Sequence, residues 1–172
     1  TSRLVGSEMC IRDSIGSMAV QICKAVGANA IGIVSDDDKI PFVKNLGAVG
    51  VLNRKKYECF GQLPDVQDQD GYSAFIKKCR VLGKDIWDIT GKKDVDIVFE
   101  HPGESTFPVS TYLVKTGGMV VICAGTSGYN LTMDARYIWM RQKRIQGSHF
   151  ANLYQANQAN EMMIQKLSLI HI

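Results

Sequence analysis

The sequence predicts an α/β domain built around a doubly wound parallel sheet, and two short apolar runs carry most of that prediction. Residues 95–99 and 119–123 are rich in Val and Ile, which is typical of strands buried on both faces of a parallel sheet. Residues 105–115 between them are long enough for a helix, which Gly117 and Gly118 would end. Each run leads into a loop that contains glycine, and ligands of open α/β sheets bind at such carboxyl ends of strands.

The N-terminal half alternates helix and strand in the same way. Apolar residues recur from Ile15 to Val26 at the spacing of one helix face, with Ser14 as the candidate N-cap and Gly27 as the end. The elements predicted next are a strand over residues 30–34, a short helix over residues 39–46 and a strand over residues 49–52. This β-α-β-α-β rhythm is that of a Rossmann-type half-unit.

The two ends of the chain do not fit this pattern. Residues 1–13 have no clear hydrophobic period, and residues 167–172 form an apolar tail without a partner pattern. We interpret both ends as non-native sequence that flanks a partial reading frame. Because Leu4 and Val5 are the only apolar pair that could form a strand before the first helix, the sheet is predicted to be truncated and to lack its first strand.

Residues 53–93 interrupt the rhythm. The segment is polar, contains Pro64 and includes a predicted helix near residues 72–82. We interpret it as a surface insertion at the edge of the sheet, either a solvated excursion or a partner site. The elements predicted after the central unit are a helix over residues 133–142, an edge strand over residues 144–147 and a closing helix over residues 152–166.

Composition points to a cytoplasmic protein that acts on small molecules. Hydrophobic residues make up 45% of the chain and charged residues 22%, which is ordinary for a soluble globular domain. The net charge of +3 is too weak to indicate a nucleic-acid partner, and no apolar run approaches the length of a membrane span. The five cysteines include no C-x-x-C pair and are predicted to be mostly buried free thiols in a reducing compartment.

Residues at the start of the first helix and at the end of the next strand suggest a nucleotide site. Gly16 is the single glycine where a full G-x-G-x-x-G fingerprint is expected, which by itself is a weak signal. Ser35 lies 19 positions further on (35 − 16), close to the roughly 20 expected for the residue that reads the ribose. A neutral Ser there, with Lys39 and Arg54 near the same end of the sheet, favours NADP(H) over NAD(H). The acidic residues 36–38 argue the other way and are interpreted as a solvated turn.

Two histidines lie in loops at the predicted carboxyl edge of the sheet. His149 follows the edge strand, a position that fits either a catalytic or a structural role. His101 either forms a supporting hydrogen bond with Glu100 or takes part directly in chemistry. The histidines and cysteines are dispersed along the chain, so no metal site is predicted.

Residues 137–144 combine aromatic and basic side chains. Without a wider basic field, this stretch favours a contact with another subunit or a ligand over a nucleic-acid interface. The intact protein is therefore expected to be a homo-oligomer that binds neither nucleic acid nor membrane.

Several motifs carry a family resemblance beyond periodicity. They read GSMAVQICKAVGANAIGIVSDDDK from Gly16, FEHPG from Phe99, CAGTSGYNLTMDAR from Cys123 and MDARYIWMRQKRIQGSHFAN from Met133. With these motifs the chain resembles the crotonyl-CoA carboxylase/reductases, which belong to the zinc-free branch of the medium-chain dehydrogenase/reductase superfamily. The resemblance covers residues 14–166.

The resemblance implies an NADPH-dependent oxidoreductase that reduces an α,β-unsaturated acyl-CoA at its β-carbon. The resulting enolate would attack CO2 at its α-carbon, which converts crotonyl-CoA to ethylmalonyl-CoA. Residues 14–166 would be the NADPH-binding domain of this enzyme, with an acyl-CoA and CO2 as the other partners of the intact protein.

Matching the motifs residue by residue implies the site. Gly16 would be the last glycine of the phosphate loop, and Ser35, Lys39 and Arg54 would surround the 2′-phosphate. His149 would help to hold CO2 through a water molecule. The residues implied at the nicotinamide end are His101, Pro102, Gly103, Ala124, Gly125 and Thr126.

The chain departs from the family chiefly by truncation. Residues 1–14 are expected to stand in place of the family's first strand and its phosphate-loop glycines, and the catalytic domain that precedes them in the family is expected to lie outside this chain. Activity is therefore expected of the parent protein, and the segment alone is expected to be inactive. Two alternatives stay open: a reductase that only protonates the enolate, and an inactive nucleotide-binding or assembly module.

Overall fold

The computed structural model describes residues 3–7 and 15–166, along which helices and strands alternate. The strands of this described part are β1 (Arg3–Ser7), β2 (Asn29–Val34), β3 (Gly50–Asn53), β4 (Val95–Glu100), β5 (Val114–Ile122) and β6 (Arg144–Gly147). Its α-helices are α1 (Ile15–Ala25), α2 (Ile40–Leu46), α3 (Gln69–Thr90), α4 (Phe107–Leu113), α5 (Arg136–Trp139) and α6 (Leu153–Lys166). Short 3₁₀ turns at Asp37–Lys39 and Arg54–Lys56 follow β2 and β3.

The six strands form one parallel sheet in the order β3-β2-β1-β4-β5-β6. The chain starts in the middle of the sheet, moves outward to β3, and returns to build the other half from β4. This is the strand order of a Rossmann-type fold. The predicted fold class is confirmed, and the carboxyl ends of the strands lie at one edge of the sheet.

The prediction that the first strand is missing is wrong. β1 lies between β2 and β4, where Leu4 pairs with Ala30 on one side and with Ile97 on the other. A parallel ladder is made by backbone groups, so a five-residue segment can fill this position even though its sequence, RLVGS, has no clear hydrophobic period. The interpretation of residues 1–13 as non-native stays a prediction, and the candidate N-cap Ser14 lies outside the described residues.

The prediction of a surface insertion over residues 53–93 is wrong for its helical part. α3 has 22 residues, twice the predicted length, and connects β3 with β4 as a crossover helix. One stripe of this helix is buried in the core and consists of Phe75, Cys79, Leu82 and Ile86. These positions follow helical spacing, but the many polar residues on the other faces concealed the stripe.

Helices cover both faces of the sheet, as the side chains of β2 demonstrate. Ile31 and Ile33 pack into a core with α3 and α4. Ala30 and Val34 point to the opposite face and pack into a second core with α1 and α2. The alternation follows from the two-residue period of a strand, and it gives the doubly wound architecture.

The C-terminal third agrees with the prediction in part. The edge strand at residues 144–147 is confirmed, and it pairs with β5. The helix predicted over residues 133–142 is wrong in length, since only Arg136–Trp139 is helical. α4 is likewise shorter than predicted, and Gly117 and Gly118 lie within β5 rather than at a helix end.

Two further predictions concern the cysteines, which are expected to be mostly buried free thiols, and membrane-spanning segments, of which none is expected. Cys23, Cys59 and Cys79 are buried free thiols, Cys123 is half-buried, and Cys10 lies outside the described residues. Within residues 3–7 and 15–166, no helix combines the length and the apolar character needed to cross a bilayer.

Candidate cofactor site at the carboxyl edge of the sheet

Polar residues follow the strands at the carboxyl edge, as the sequence predicts. Ser35 comes directly after β2, Asn53 ends β3, and Glu100 ends β4. The backbone N–H of Ser148 donates to the carbonyl of Ile122 at 2.8 Å, which brings the segment after β6 beside the end of β5. Open α/β sheets bind ligands along this edge.

The end of β2 carries a compact cluster of hydroxyl, ammonium and carboxylate groups. Lys39 Nζ donates to Ser35 Oγ at 2.7 Å, and Ser35 Oγ donates to Asp36 Oδ2 at 2.8 Å. Lys55 Nζ donates to Asp36 Oδ1 and forms an ion pair with it. The structure therefore brings the predicted residues Ser35 and Lys39 together and adds Lys55, which sequence reasoning missed.

Asn53 connects this cluster with the end of β3. Its side chain accepts a hydrogen bond from the backbone N–H of Lys55 at 2.9 Å, which caps the 3₁₀ turn Arg54–Lys56. Its Nδ2 donates to Asp37 Oδ1 at 3.0 Å, and Lys56 forms an ion pair with the same carboxylate oxygen at 3.1 Å. Arg54 is half-buried in this turn. Its neighbour Lys55, rather than Arg54, contacts Asp36. The run of three basic residues directly after a predicted strand is the sequence feature that could have indicated Lys55.

The ammonium and hydroxyl donors of this cluster are of the kind that binds a phosphate group. The pKa of Asp36 is lowered by its hydrogen bonds from Lys55 and Ser35, so Asp36 is a carboxylate at neutral pH. The pKa of Asp37 is lowered by Asn53 and Lys56. Lys56 pairs with Asp37, apart from Ser35, whereas Lys39 and Lys55 both lie near Asp36, and Ser35 adds a hydroxyl donor. Ammonium and hydroxyl donors at one strand end are the groups that bind phosphate oxygens.

A buried carboxylate organises the end of β4. Glu100 is fully buried and accepts hydrogen bonds from Gly103 N at 2.9 Å, from Thr106 Oγ1 at 2.5 Å and from Ser110 Oγ. Burial raises the pKa of Glu100, while these three donors lower it by smaller amounts. The carboxylate thereby ties the loop after β4 to the first turn of α4.

His101 does not have the partner that one interpretation of the sequence expects. The described hydrogen bonds of the Glu100 side chain go to the loop and to α4 rather than to His101. His101 Nδ1 is buried and has no hydrogen-bond partner within the described part of the chain. A buried polar atom of this kind is costly unless a further group satisfies it, so His101 is available for a ligand at the end of β4.

The loops after β4 and β5 are joined by hydrogen bonds. Ser127 donates to the carbonyl of Pro102 through both its backbone N–H and its Oγ, each at 2.7 Å. Glu104 N donates to the carbonyl of Gly128 at 3.2 Å, and Ser105 Oγ lies 2.9 Å from Ser127 Oγ. These contacts hold the two glycine-containing loops as one unit.

Close backbone approach explains why two of the predicted residues are glycines. Gly103 has a φ of +89°, and a Cβ there would lie 2.6 Å from the carbonyl oxygen of Gly128. A Cβ on Gly125 would lie 2.8 Å from the ring of Tyr129. The neighbouring Ala124 is half-buried and Thr126 is exposed. The two glycines therefore allow the two loops to pack closely against each other.

Gly16 and His149 lie at the predicted places but are joined to neither cluster by the described contacts. Gly16 is buried in the first turn of α1, and the residues just before that helix lie outside the described part. His149 follows the carboxyl end of β6 and is exposed, with its ring 3.9 Å from that of Phe150. Neither role is tested by these contacts, and both stay predictions.

A separate cavity of about 810 Å³ lies at the opposite edge of the sheet, between α3, the α4–β5 junction and α5. Tyr72 donates to Asp134 at 2.6 Å, and Arg136 holds the pKa of Asp134 down to about 2. Lys143 is buried and donates to the carbonyls of Thr111 and Tyr112 at 2.7 and 2.9 Å. Burial lowers the pKa of Lys143 to about 8. This cavity contains none of the predicted cofactor residues.

Over residues 3–7 and 15–166, no three His, Cys, Asp or Glu side chains are grouped so that they could hold a metal ion.

Two curated proteins are similar to the chain over most of its length. A crotonyl-CoA carboxylase/reductase of Cereibacter sphaeroides is 60% identical over 153 residues, which cover 88% of this chain and 35% of that protein. A crotonyl-CoA reductase of Streptomyces collinus is 42% identical over 149 residues, which cover 87% of this chain and 32% of that protein. The chain spans about a third of the length of these relatives.

A solved structure agrees with this resemblance. The crotonyl-CoA carboxylase/reductase AntE in complex with NADP superimposes on the chain with a TM-score of 0.90 at 35% sequence identity, covering 95% of this chain and 40% of that one. The resemblance stated from the motifs is thus confirmed in sequence and in fold. Since the zinc-binding dehydrogenase family also matches residues 14–168, nearly the whole chain, the chain belongs to that family.

Proposed function

We propose that the chain is the NADPH-binding part of an enzyme that reduces and carboxylates an α,β-unsaturated acyl-CoA. The observation that carries the proposal is the cluster at the end of β2, where Lys39 donates to Ser35 at 2.7 Å and Lys55 contacts the adjoining Asp36. An acidic residue at the position of Ser35 would accept from the 2′-OH of NAD and repel a 2′-phosphate. A hydroxyl with two ammonium groups favours the phosphate.

The joined loops after β4 and β5 support a site for the nicotinamide end. Their glycines, Gly103 and Gly125, let the two loops pack closely together, and Glu100 keeps the first loop in place. The buried Nδ1 of His101 offers one unsatisfied group at the same end of β4. When bound, NADPH supplies the hydride that reduces the β-carbon of the substrate.

His149 is proposed to favour carboxylation of the enolate over its protonation. The enolate α-carbon forms a bond with CO2 in the first case and takes a proton in the second. His149 follows β6 at the carboxyl edge, and the similar protein of 60% identity is named a carboxylase/reductase. The protein of 42% identity is named only a reductase, which keeps plain reduction as the second candidate function.

The carboxylation step is tested in a full-length protein that carries this segment, by replacing His149→Asn and supplying crotonyl-CoA, NADPH and limiting bicarbonate. Because the substitution removes a group that helps to hold CO2, the ratio of butyryl-CoA to ethylmalonyl-CoA is expected to rise while NADPH affinity is unchanged. An unchanged ratio would contradict the role of His149. Formation of butyryl-CoA alone by the unmodified protein would favour the plain reductase.

Cofactor binding is tested on the chain itself by titration with NADPH. Binding that is tighter for NADPH than for NADH supports the nucleotide site, whereas no binding of either would contradict it. Binding without turnover of crotonyl-CoA is expected for this segment, since it spans about a third of its relatives. Such a result would not separate the parent enzyme from an inactive nucleotide-binding module, which the experiment on the full-length protein does.

A homo-oligomer of the intact protein is supported by the outer edge of the sheet. The four residues of β6 are exposed, and β6 pairs with β5 on one side only. Trp139 and Met140, which precede β6 in the chain, are 69% and 65% exposed. Open strand edges and exposed large apolar side chains are both typical of protein interfaces, and sedimentation of the full-length protein would measure the subunit number.

A further inference from the structure

The carboxylate of Asp36 occupies the donors that a 2′-phosphate needs. Its Oδ2 accepts from Ser35 Oγ at 2.8 Å and lies 3.7 Å from Lys39 Nζ. Its Oδ1 accepts from Lys55 Nζ. Every charged or hydroxyl group that Ser35, Lys39 and Lys55 bring to the end of β2 is therefore directed at one internal anion.

The hydroxyl of Ser35 is also occupied by contacts within the cluster. It accepts a hydrogen bond from Lys39 Nζ at 2.7 Å, and its single proton goes to Asp36. A serine hydroxyl has one proton to donate. Ser35 therefore cannot donate to a phosphate oxygen until the bond with Asp36 is broken.

Electrostatics also prevent simple addition of a phosphate to this cluster. Hydrogen bonds from Lys55 and Ser35 lower the pKa of Asp36, so it is charged at neutral pH. A 2′-phosphate carries close to two negative charges, and like charges in contact repel. The side chain of Asp36 is 43% exposed, so it has room to turn toward solvent.

We propose that Asp36 is a specificity-determining residue that acts as an internal stand-in for the 2′-phosphate. Its carboxylate holds Ser35, Lys39 and Lys55 until a cofactor phosphate displaces it. The inference rests on the proposed NADPH site and adds an exchange of anions to it. Because the displacement costs binding free energy, Asp36 lowers the affinity for every ligand that carries a 2′-phosphate and leaves ligands without one unaffected.

The test compares Asp36→Asn with Asp37→Asn in the 172-residue chain. Both substitutions remove one negative charge from the same turn, but Asp37 contacts Asn53 and Lys56 instead of the Ser35 cluster. Calorimetric titrations use NADPH, 2′,5′-ADP and 5′-ADP as ligands. Asp36→Asn is expected to bind NADPH and 2′,5′-ADP roughly fivefold more tightly than Asp37→Asn does, since exposed ion pairs have modest strength. Affinity for 5′-ADP should be the same in both.

Three results would overturn the inference. Equal gains in the two variants would mean that only net charge matters, and weaker binding by Asp36→Asn would mean that Asp36 contacts the cofactor directly. If Asp36→Asn gained as much affinity for 5′-ADP as for 2′,5′-ADP, the gain would not depend on the 2′-phosphate. If the unmodified chain binds neither NADPH nor 2′,5′-ADP, the proposed NADPH site fails as well, so the two failures are distinguishable. Asp36→Ala provides a second variant, and thermal unfolding verifies that each variant is folded.

Discussion

The two halves of the carboxyl edge are built on opposite principles. At the end of β2 the anion, Asp36, has a side chain that is 43% exposed and lies near the ammonium groups of Lys39 and Lys55. At the end of β4 the carboxyl group of Glu100 is fully buried and held by a backbone N–H and two hydroxyls. The first region can exchange partners at little cost, whereas the second cannot.

The difference follows from desolvation. Exposed ion pairs gain little because water screens both charges and solvates them again when they separate. A buried carboxylate has no water to return to, so removing its partners or removing the carboxylate itself is costly. We therefore infer that the charged residues at the ends of β2 and β3 determine which ligand charge is bound. The loops after β4 and β5 would form a rigid surface that contacts the ligand.

The largest effect is expected for Glu100→Ala. The substitution leaves Gly103 N and the hydroxyls of Thr106 and Ser110 without their acceptor in a buried site. We expect the free energy of unfolding to fall by about 3 kcal/mol, since buried polar groups without partners cost about 1–3 kcal/mol each. Urea denaturation of the chain measures this change. A loss below about 1 kcal/mol would mean that the loop is not held by Glu100.

Glu100→Gln tests the pH dependence of the same group. Burial raises the pKa of Glu100 above its usual value of 4.5. The stability that this shift contributes is fully present below the unfolded pKa and is lost as pH rises through the folded pKa. The stability of the unmodified chain relative to Glu100→Gln is therefore expected to decline from about pH 4.5 toward neutral pH. A difference that is constant with pH would contradict the raised pKa.

Gly103→Ala should have the next largest effect. The added Cβ would lie 2.6 Å from the carbonyl oxygen of Gly128, and φ is +89°. Strain and the forced separation of the two loops are expected to cost about 2 kcal/mol of unfolding free energy. Gly27→Ala is the matched control, because φ is +73° there but no atom lies within 4 Å of the new Cβ. Equal losses in the two variants would show that the contact between the loops does not matter.

Lys39→Met should affect binding and spare stability. Lys39 Nζ contacts Ser35 Oγ at 2.7 Å, so its removal is expected to weaken NADPH binding about tenfold, or about 1.4 kcal/mol. The unfolding free energy should change by less than about 0.5 kcal/mol. Lys56→Met removes the same charge from the partner of Asp37 and serves as the control. A similar loss of NADPH affinity in both variants would contradict the assignment of Lys39.

The smallest effect concerns ionic strength. Raising salt from about 0.05 to 0.5 M shortens the distance over which exposed charges interact. Affinity for NADPH is therefore expected to fall by a few-fold more than affinity for NADH. The stability effect of Glu100→Ala should remain nearly constant over the same range, because that site is buried. Parallel titrations and denaturation curves at two salt concentrations provide the comparison.

The sequence predicts those parts of the carboxyl edge that follow from apolar runs and from the residues directly after them. The apolar runs at β2, β4 and β5 predicted the sheet, and their ends located Ser35, Gly103 and Gly125. β1 was missed because its place in the sheet depends on backbone pairing with two neighbours rather than on a side-chain period. No single-sequence pattern encodes such long-range pairing.

The side-chain partners were harder to predict than the strands. Lys55 contacts Asp36, although Arg54 precedes it in the same basic run, because the capped turn at Asn53 decides which side chain reaches the cluster. The role of Glu100 depends on α4 packing behind its loop, which brings Ser110 to the carboxylate. These contacts arise only when the tertiary structure has formed.

The most direct test of this account is the relative affinity of the 172-residue chain for NADPH and NADH. Calorimetric titration of the unmodified chain is expected to show NADPH bound at least about tenfold more tightly, because in the proposed site the 2′-phosphate takes the donors of Lys39 and Lys55 that now contact Ser35 and Asp36. In Ser35→Asp, a carboxylate would stand where the phosphate binds, and the preference should disappear. Equal affinities of the unmodified chain for the two cofactors would contradict the account.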